Sequence, residues 1–154
     1  MRPAYHALAG IGLGIPLLVI SGSWQVAGCF SIATTLMDVD HVLDYAFWGK
    51  HPRSLKKFLK KDATLNSPRM VFIFHGYEWV IVMFALAARF DHPLIVAVAA
   101  GITLHLLMDE VGNRLPNRLT ILHPLFYFFS FRLKHRFRAS SIYQVRDRNQ
   151  SSEG

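Results

Sequence analysis

Apolar residues dominate four stretches of the chain, and short polar segments separate them. The stretches cover residues 4–20, 24–37, 70–88 and 94–108. The first and third are long enough to cross a bilayer as helices, since about 17 to 20 apolar residues are needed. The second and fourth reach that length only when their polar ends also lie at membrane depth. Because "SGS" at 21–23 and "RFDHP" at 89–93 are short connections, the pattern predicts two helical hairpins.

A fifth apolar stretch, "ILHPLFYFFSF" at 121–131, is aromatic, contains Pro124 and runs directly into basic residues. These features are typical of an interfacial or re-entrant helix. The following residues 139–154 are polar and predict a disordered tail. We therefore expect an all-α protein: an integral membrane four-helix bundle within residues 1–138, with an additional aromatic helix near the C-terminus.

Composition and charge agree with a membrane location. Hydrophobic residues make up 52% of the 154, and the net charge is +7. The segments 50–61 and 132–148 each carry six Lys or Arg residues. By the positive-inside rule both should be cytoplasmic, which an even number of spans allows, with both termini on that side. The single Cys29 excludes an internal disulfide and a Cys-based zinc site.

An alternative interpretation concerns "VAGC" at 26–29, which fits a lipoprotein cleavage site after an apolar segment. The apolar run continues beyond Cys29 into "FSIATTLM". A mature lipoprotein would rarely need that continuation. A helix face of small residues is therefore the favoured interpretation of this stretch.

The polar residues of the predicted helices lie at similar depths. With a rise of about 1.5 Å per residue, they fall roughly 18 to 24 Å from the outer ends of their helices. The residues at this level are His6, Asp40, His75, His105 and Asp109. Ionisable groups at membrane depth cost about 2.5 to 3.5 kcal/mol each, so they persist when they are paired or bind an ion. A divalent cation shared by imidazoles and carboxylates satisfies that condition.

The spacing of these residues supports a shared site. His105 and Asp109 are four positions apart, as are Asp40 and Asp44, so each pair shares a helix face. His75 and Glu78 are three positions apart, as are His41 and Asp44. Each residue alone also fits a structural role, such as a packed histidine, an ion pair or a helix cap. Their joint occurrence on four helices favours a metal site of one or two ions, with Zn²⁺ preferred and Mn²⁺ or Fe²⁺ as alternatives.

The order of these motifs resembles the bacterial inner-membrane family of LexA-regulated, membrane-bound metal-dependent hydrolases. The similarity covers most of residues 5–110. It is carried by His6, "DVDH" at 38–41, His75 and "HLLMD" at 105–109. Two features depart from the family pattern: Met37 stands where the family has Pro, and "FHGYEW" at 74–79 replaces a Thr-His-Ser segment.

The resemblance implies a metal-dependent hydrolase at the cytoplasmic face of the bacterial inner membrane. The expected metal ligands are His6, Asp40, His41, His75, His105 and Asp109. Asp38 and Asp44 would orient those ligands, and Glu78 would accept a proton from water. The expected substrate is a phosphoester or a lipid-like molecule; membrane lipids are expected partners, and nucleic acid is not. Arg53, Lys56 and Lys57 either guide an anionic substrate or only fix the topology.

Two other classes of protein fit the same residues. A transport protein would carry a divalent cation or protons through the acidic and histidine layer. A structural subunit would use that layer to keep its helices together. The outer halves of the helices, such as "GIPLLVI" and "LIVAVAA", contain no polar pathway and favour a site that opens on one side only.

Overall fold

A computed structural model describes residues 3–48, 69–114, 120–123 and 125–145. The chain is mostly helical within these ranges. Its helices are α1 (Pro3–Ser21), α2 (Trp24–Leu36), α3 (Val39–Trp48), α4 (Tyr77–Phe90), α5 (Pro93–Arg114), α6 (Phe129–Lys134) and α7 (Ala139–Ile142). Two short strands, β1 (Thr120–Leu122) and β2 (Tyr143–Val145), pair antiparallel.

The first predicted hairpin is present, and small residues allow its helices to approach closely. The chain reverses after α1 at Gly22, whose φ of 63° lies in the left-handed region that glycine tolerates. Ser23 then caps α2 by accepting a hydrogen bond from the Val26 amide. Gly10 and Gly14 of α1 both face Ser31 of α2, and the Ser31 hydroxyl donates to the Gly10 carbonyl at 2.8 Å. Such small-residue spacing is typical of helix packing within membranes.

Helix α2 also packs against α5, and Gly101 is the point of closest approach. A Cβ atom at Gly101 would lie 2.5 Å from the Phe30 carbonyl oxygen and 2.9 Å from the Ala33 side chain. The buried Thr34 hydroxyl bonds the Phe30 carbonyl at 2.8 Å and the Gly101 carbonyl at 3.3 Å. Helix α2 therefore lies between α1 and α5, and α5 packs in turn against α4.

The helix expected over 70–88 begins only at Tyr77, because residues 70–76 are not helical. Phe72 in this segment has a φ of 41°, a left-handed conformation that breaks any helix. The expectation that His75 and Glu78 share a helix face was therefore wrong. The second hairpin is present all the same, since α4 ends at Asp91 in a left-handed conformation and α5 begins at Pro93.

The C-terminal part folds back onto this irregular segment. Phe126, Tyr127 and Ile142 pack in one buried cluster with Met70, Phe72, Val80 and Leu106. The aromatic stretch 121–131 is not one helix, since its start is part of β1 and α6 begins at Phe129. Residues 139–145 form α7 and β2, so ordered structure extends past the boundary at residue 138 that composition indicated. The remainder of the expected tail, 146–154, lies outside the described residues.

The helices place apolar side chains on their outer surface. Three stretches of the described residues are long and apolar enough to span a membrane: Ala4–Ser21, Trp24–Asp44 and Pro93–Gly112. Side chains such as Val19 and Ile20 are 79% and 83% exposed, and Leu8 is 67% exposed. Contiguous apolar surface of this kind is rare on proteins surrounded by water. Length, composition and surface thus suggest a membrane protein.

The Gly101 contact generates a stability prediction. Gly101→Ala places a methyl group against the Phe30 carbonyl, so it should destabilise the fold by about 1–3 kcal/mol through overpacking. Gly28→Ala is the matched control, because a Cβ there meets nothing within 4 Å. Thermal unfolding in detergent should show a lower midpoint for Gly101→Ala and an unchanged or higher one for Gly28→Ala. Equal midpoints for the two variants would contradict close packing at Gly101.

Candidate metal centre

Six ionisable side chains from four parts of the chain meet at one end of the helices. Their ligand atoms form two overlapping groups, each within 4.8 Å. The first group is His6, Asp38, His105 and Asp109, and the second is Asp38, His41, His75 and Asp109. The convergence expected from depth is thus present for His6, His75, His105 and Asp109. The expected ligand His41 lies with them, and Asp38 is present in place of Asp40.

The chain brings these residues together through its hairpin geometry. His6 lies in the first turns of α1, and His105 and Asp109 lie far along α5. Asp38 lies in the two-residue interruption between α2 and α3, which turns its carboxylate toward the same end. The hairpin turns at 22–23 and 91–92 are at the opposite ends of their helices, so the cluster and the turns occupy opposite ends of the bundle.

His75 and His105 face each other through their Nε2 atoms. The contacts of their Nδ1 atoms indicate that each Nε2 carries a lone pair. The His105 Nδ1 atom is 2.7 Å from the Thr34 carbonyl, which only accepts, so Nδ1 carries the proton. The His75 Nδ1 atom is 3.2 Å from an Asp40 carboxylate oxygen, which fixes the same tautomer. The two Nε2 atoms then meet at 3.1 Å as unprotonated nitrogens. Two lone pairs at this distance repel each other unless a cation or a proton lies close to both.

Asp109 Oδ1 is within hydrogen-bond distance of His6 Nε2, at 3.1 Å, but the other contacts of Asp38 and Asp109 with imidazoles are long for hydrogen bonds. The Asp109 Oδ2 atom is 3.5 Å from His105 Nε2 and 3.8 Å from His75 Nε2. The Asp38 Oδ1 atom is 3.7 Å from His105 Nε2 and 3.8 Å from His41 Nε2. Neighbouring ligands of one tetrahedral ion with bonds near 2.1 Å are roughly 3.4 Å apart. These separations therefore fit ligands of a common cation better than direct hydrogen bonds.

Three buried atoms of the cluster have no hydrogen-bond partner among the described residues. They are His6 Nδ1, Asp38 Oδ2 and His41 Nδ1. An unsatisfied buried polar atom costs about 1–3 kcal/mol, and native structures contain few of them. Their concentration in one cluster indicates that the group is built to bind something polar.

The cluster is closed on most sides and opens at one edge. The side chains of His6, His75, His105 and Asp109 are at most 4% exposed. His41 is 27% exposed and Asp38 is 16% exposed. Structural metal sites are closed, whereas catalytic sites keep one position accessible. The edge formed by Asp38 and His41 provides such access.

Asp40 and Asp44 bind the backbone of the irregular segment. Oδ2 of Asp44 accepts hydrogen bonds from the amides of Val71 and Phe72, at 2.6 and 3.2 Å. Oδ2 of Asp40 accepts from the amides of Phe74 and His75 as well as from the His75 ring. Asp40 was expected to bind metal directly, but in the structure it orients His75. Asp44 contacts the backbone of the segment that carries His75, and its expected role in orienting ligands stays a prediction.

Arg132 bonds the carbonyls of the same segment, a role that is difficult to predict from sequence. The guanidinium is fully buried and donates to the carbonyls of Val71, Phe72 and Phe126. Burial lowers the pKa of Arg132 to about 10, so the group is still charged at neutral pH. The only signal was one arginine within an aromatic run, "FFSFRLK", which the basic tail obscured.

Glu78 lies away from the two ligand groups. Its carboxylate accepts from the amides of Phe129 and Ser130, both at 2.9 Å, and from the Ser130 hydroxyl at 2.7 Å. These donors are at the N-terminus of α6, where a carboxylate satisfies otherwise unpaired amides. Glu78 therefore joins α4 to the C-terminal part, and the structure does not bring it to the other predicted site residues. Arg53, Lys56 and Lys57 lie outside the described residues.

Phe72 forms one wall of the cluster. Its ring is 4.5 Å from the His41 ring and 5.8 Å from the His75 ring, measured between centroids. Its left-handed backbone is held on both sides, because the amide donates to Asp44 and the carbonyl accepts from Arg132. Non-glycine residues keep such a conformation when their surroundings enforce it, often at functional sites.

Comparisons with protein-family models, with curated proteins and with solved structures found no significant match.

The role of Arg132 can be tested by its removal. Arg132→Met leaves the Val71 and Phe126 carbonyls without the donor they have here, and leaves the Phe72 carbonyl with the His75 amide alone. At about 1–3 kcal/mol for each unsatisfied buried group, the midpoint of thermal unfolding in detergent should fall markedly. Arg132→Lys keeps the charge, but an ammonium group cannot reach all three carbonyls. Its unfolding midpoint should therefore lie between those of the parent and of Arg132→Met. The exposed Lys134 provides the control, and Lys134→Ala should unfold like the parent. An Arg132→Met midpoint equal to that of Lys134→Ala would contradict this role.

Proposed function

We propose that this chain is an integral protein of the bacterial inner membrane that hydrolyses a phosphoester, or a lipid-like ester, with the help of bound divalent cations. The observation that carries the proposal is the one-sided cluster: buried histidines and carboxylates with one accessible edge at Asp38 and His41. A metal ion in such a site has a position left for water and substrate.

The topology supports a cytoplasmic location for the cluster. In sequence, the basic segment 50–61 comes after α3, which begins at the cluster, and Arg132 of the segment 132–148 bonds the irregular segment beside the cluster. By the positive-inside rule, these basic segments predict that the cluster's end is cytoplasmic. Trp24 and Phe90 lie beside the opposite turns and are 73% and 64% exposed, as expected for aromatic residues at a membrane surface. The proposed arrangement is a four-helix bundle of α1, α2, α4 and α5 with both termini in the cytoplasm. The aromatic C-terminal part would lie at the same interface.

The donor set limits the choice of metal. Imidazole nitrogen and carboxylate oxygen, without thiolate, suit Zn²⁺, Mn²⁺ or Fe²⁺. A bound cation of this kind lowers the pKa of a water ligand and polarises a phosphoryl or carbonyl oxygen. His75 and His105 are fixed in the tautomer that presents Nε2 to such an ion.

The proton acceptor in this proposal is Asp38 rather than Glu78. Glu78 uses both of its oxygens at the N-terminus of α6. Asp38 is at the accessible edge, and its Oδ2 atom has no hydrogen-bond partner within the described part of the chain. A general base must lie within hydrogen-bond reach of the water it deprotonates, which this position allows.

The residues beyond the cluster argue against the alternative that the chain transports cations. The side-chain hydroxyls that lie farther along the bundle, those of Ser31, Thr34, Thr35 and Thr103, donate to helix carbonyls. The apolar outer halves of α1 and α5 provide no carboxylate or imidazole that would continue a path for cations. A site that is accessible from one side favours a hydrolase over a transporter.

The proposal predicts that activity requires the residues of the cluster. His41→Ala should lower phosphoesterase activity by at least roughly 100-fold, because it removes a ligand at the accessible edge. His92→Ala is the matched control, since His92 is exposed beside the opposite turn and belongs to neither ligand group. Both variants should keep the parent's unfolding midpoint within a few degrees. The substrates to screen are phosphomonoesters, phosphodiesters, carboxyl esters and phospholipids in mixed micelles.

Removal of metal gives an independent test. Protein purified in detergent should contain at least one equivalent of a transition metal by elemental analysis, lose it to a chelator together with activity, and regain both when metal is added. A metal content near zero that no added cation raises would refute the metal-dependent mechanism. Metal binding without hydrolysis of any ester would instead favour a cation-binding or structural protein.

A further inference from the structure

We infer that the cluster binds two cations, with Asp38 and Asp109 shared between them, and that its substrate is a phosphoester. His6 and His105 complete one ion's ligands, and His41 and His75 complete the other's. This inference rests on the proposed function for its substrate, but its metal count can be tested without any activity. The argument depends on which imidazoles each carboxylate approaches.

Asp109 approaches histidines of both ligand groups. Its Oδ1 atom is 3.1 Å from His6 Nε2, and its Oδ2 atom lies between His105 Nε2 at 3.5 Å and His75 Nε2 at 3.8 Å. His105 and His75 belong to different ligand groups. A carboxylate oxygen between two such imidazoles is positioned to bridge two ions.

Asp38 approaches histidines of both ligand groups from the accessible edge. Its Oδ1 atom is nearly equidistant from His105 Nε2 at 3.7 Å and His41 Nε2 at 3.8 Å. His105 belongs to the first ligand group and His41 to the second. Asp38, through Oδ1, and Asp109 therefore lie between the two pairs of imidazoles from different directions, as two bridging ligands do. This leaves Oδ2 of Asp38 as the oxygen that would accept the proton.

The six residues do not form a single ligand group, since neither of the two groups within 4.8 Å contains all of them. Four imidazoles and two carboxylates exceed the four ligands of a tetrahedral ion, and an ion in either group leaves two imidazoles of the other group unused. His75 and His105 belong to different groups, although their Nε2 atoms are 3.1 Å apart. With one ion for each nitrogen, both lone pairs are occupied and their repulsion is removed.

The charge of such a centre selects the substrate class. Two divalent cations exceed the charge of two shared carboxylates by two positive charges, which a phosphate group neutralises and a carboxyl ester does not. Paired ions about 3.5–4 Å apart stabilise the attacking and leaving oxygens of phosphoryl transfer together. The accessible edge lies beside exposed apolar side chains, including Val39 and Val42 of α3, so the ester's remaining part can be apolar.

The test is the stoichiometry and magnetic coupling of bound Mn²⁺ in the full chain, purified in detergent and loaded with Mn²⁺ alone. The parent should bind two ions per chain and show the multiline electron paramagnetic resonance signal of a coupled pair. His6→Gln and His41→Gln should each bind one ion and lose the coupling. His92→Gln should behave like the parent.

Three results would overturn the inference. They are one ion per chain at saturation in the parent, two ions without coupling, and two coupled ions retained by both His6→Gln and His41→Gln. The first two results are measured on the parent alone, so they remain decisive even when a variant does not fold. The proposed function fails separately, if two coupled ions are bound but no ester of any class is hydrolysed. The substrate part fails if a carboxyl ester is cleaved and phosphoesters are not.

Discussion

The irregular segment 70–76 depends on charged side chains that satisfy its backbone. Residues 71–75 lack the internal hydrogen bonds of a helix, and the cost of unpaired amides and carbonyls is high away from water. Asp44 and Asp40 accept from the amides, and Arg132 donates to the carbonyls. The positive charge of Arg132 also offsets the two buried carboxylates. His75 reaches the cluster because this arrangement stabilises a conformation that the local sequence does not favour.

The same arrangement explains which parts of the site could be predicted from sequence. The depth of His6, His105 and Asp109 follows from helix length alone, and their convergence was predicted correctly. The spacing of Asp38 and Asp40 indicated that both cannot face one way on a regular helix. Which of the two faces the cluster could not be assigned, because it depends on the interruption of the helix at 37–38 and on where His75 lies. Those positions are set by contacts between residues far apart in sequence.

The segment "MVFIFHGYEW" shows why local pattern was insufficient here. Its apolar residues extend the pattern of α4 without a break, so they predict one continuous helix. The groups that prevent this are Asp44 and Arg132, which lie 28 and 60 positions from Phe72. The position of Glu78 could not be read from the local pattern for the same reason, since its partners Phe129 and Ser130 are more than 50 positions away. A carboxylate near a histidine in sequence can still belong to another part of the fold.

Close helix packing and the polar cluster depend on each other. Gly101 allows α2 and α5 to touch, and one turn farther along α5 His105 can then reach the Thr34 carbonyl of α2. That hydrogen bond fixes the tautomer of His105, so a packing contact between small residues determines which nitrogen faces the cluster. Without a cation, the cluster would place unprotonated imidazole nitrogens and carboxylates against each other in a buried space, which is unfavourable. The close packing at Gly101 and a cluster that could hold a cation are therefore linked through the contact between His105 and Thr34.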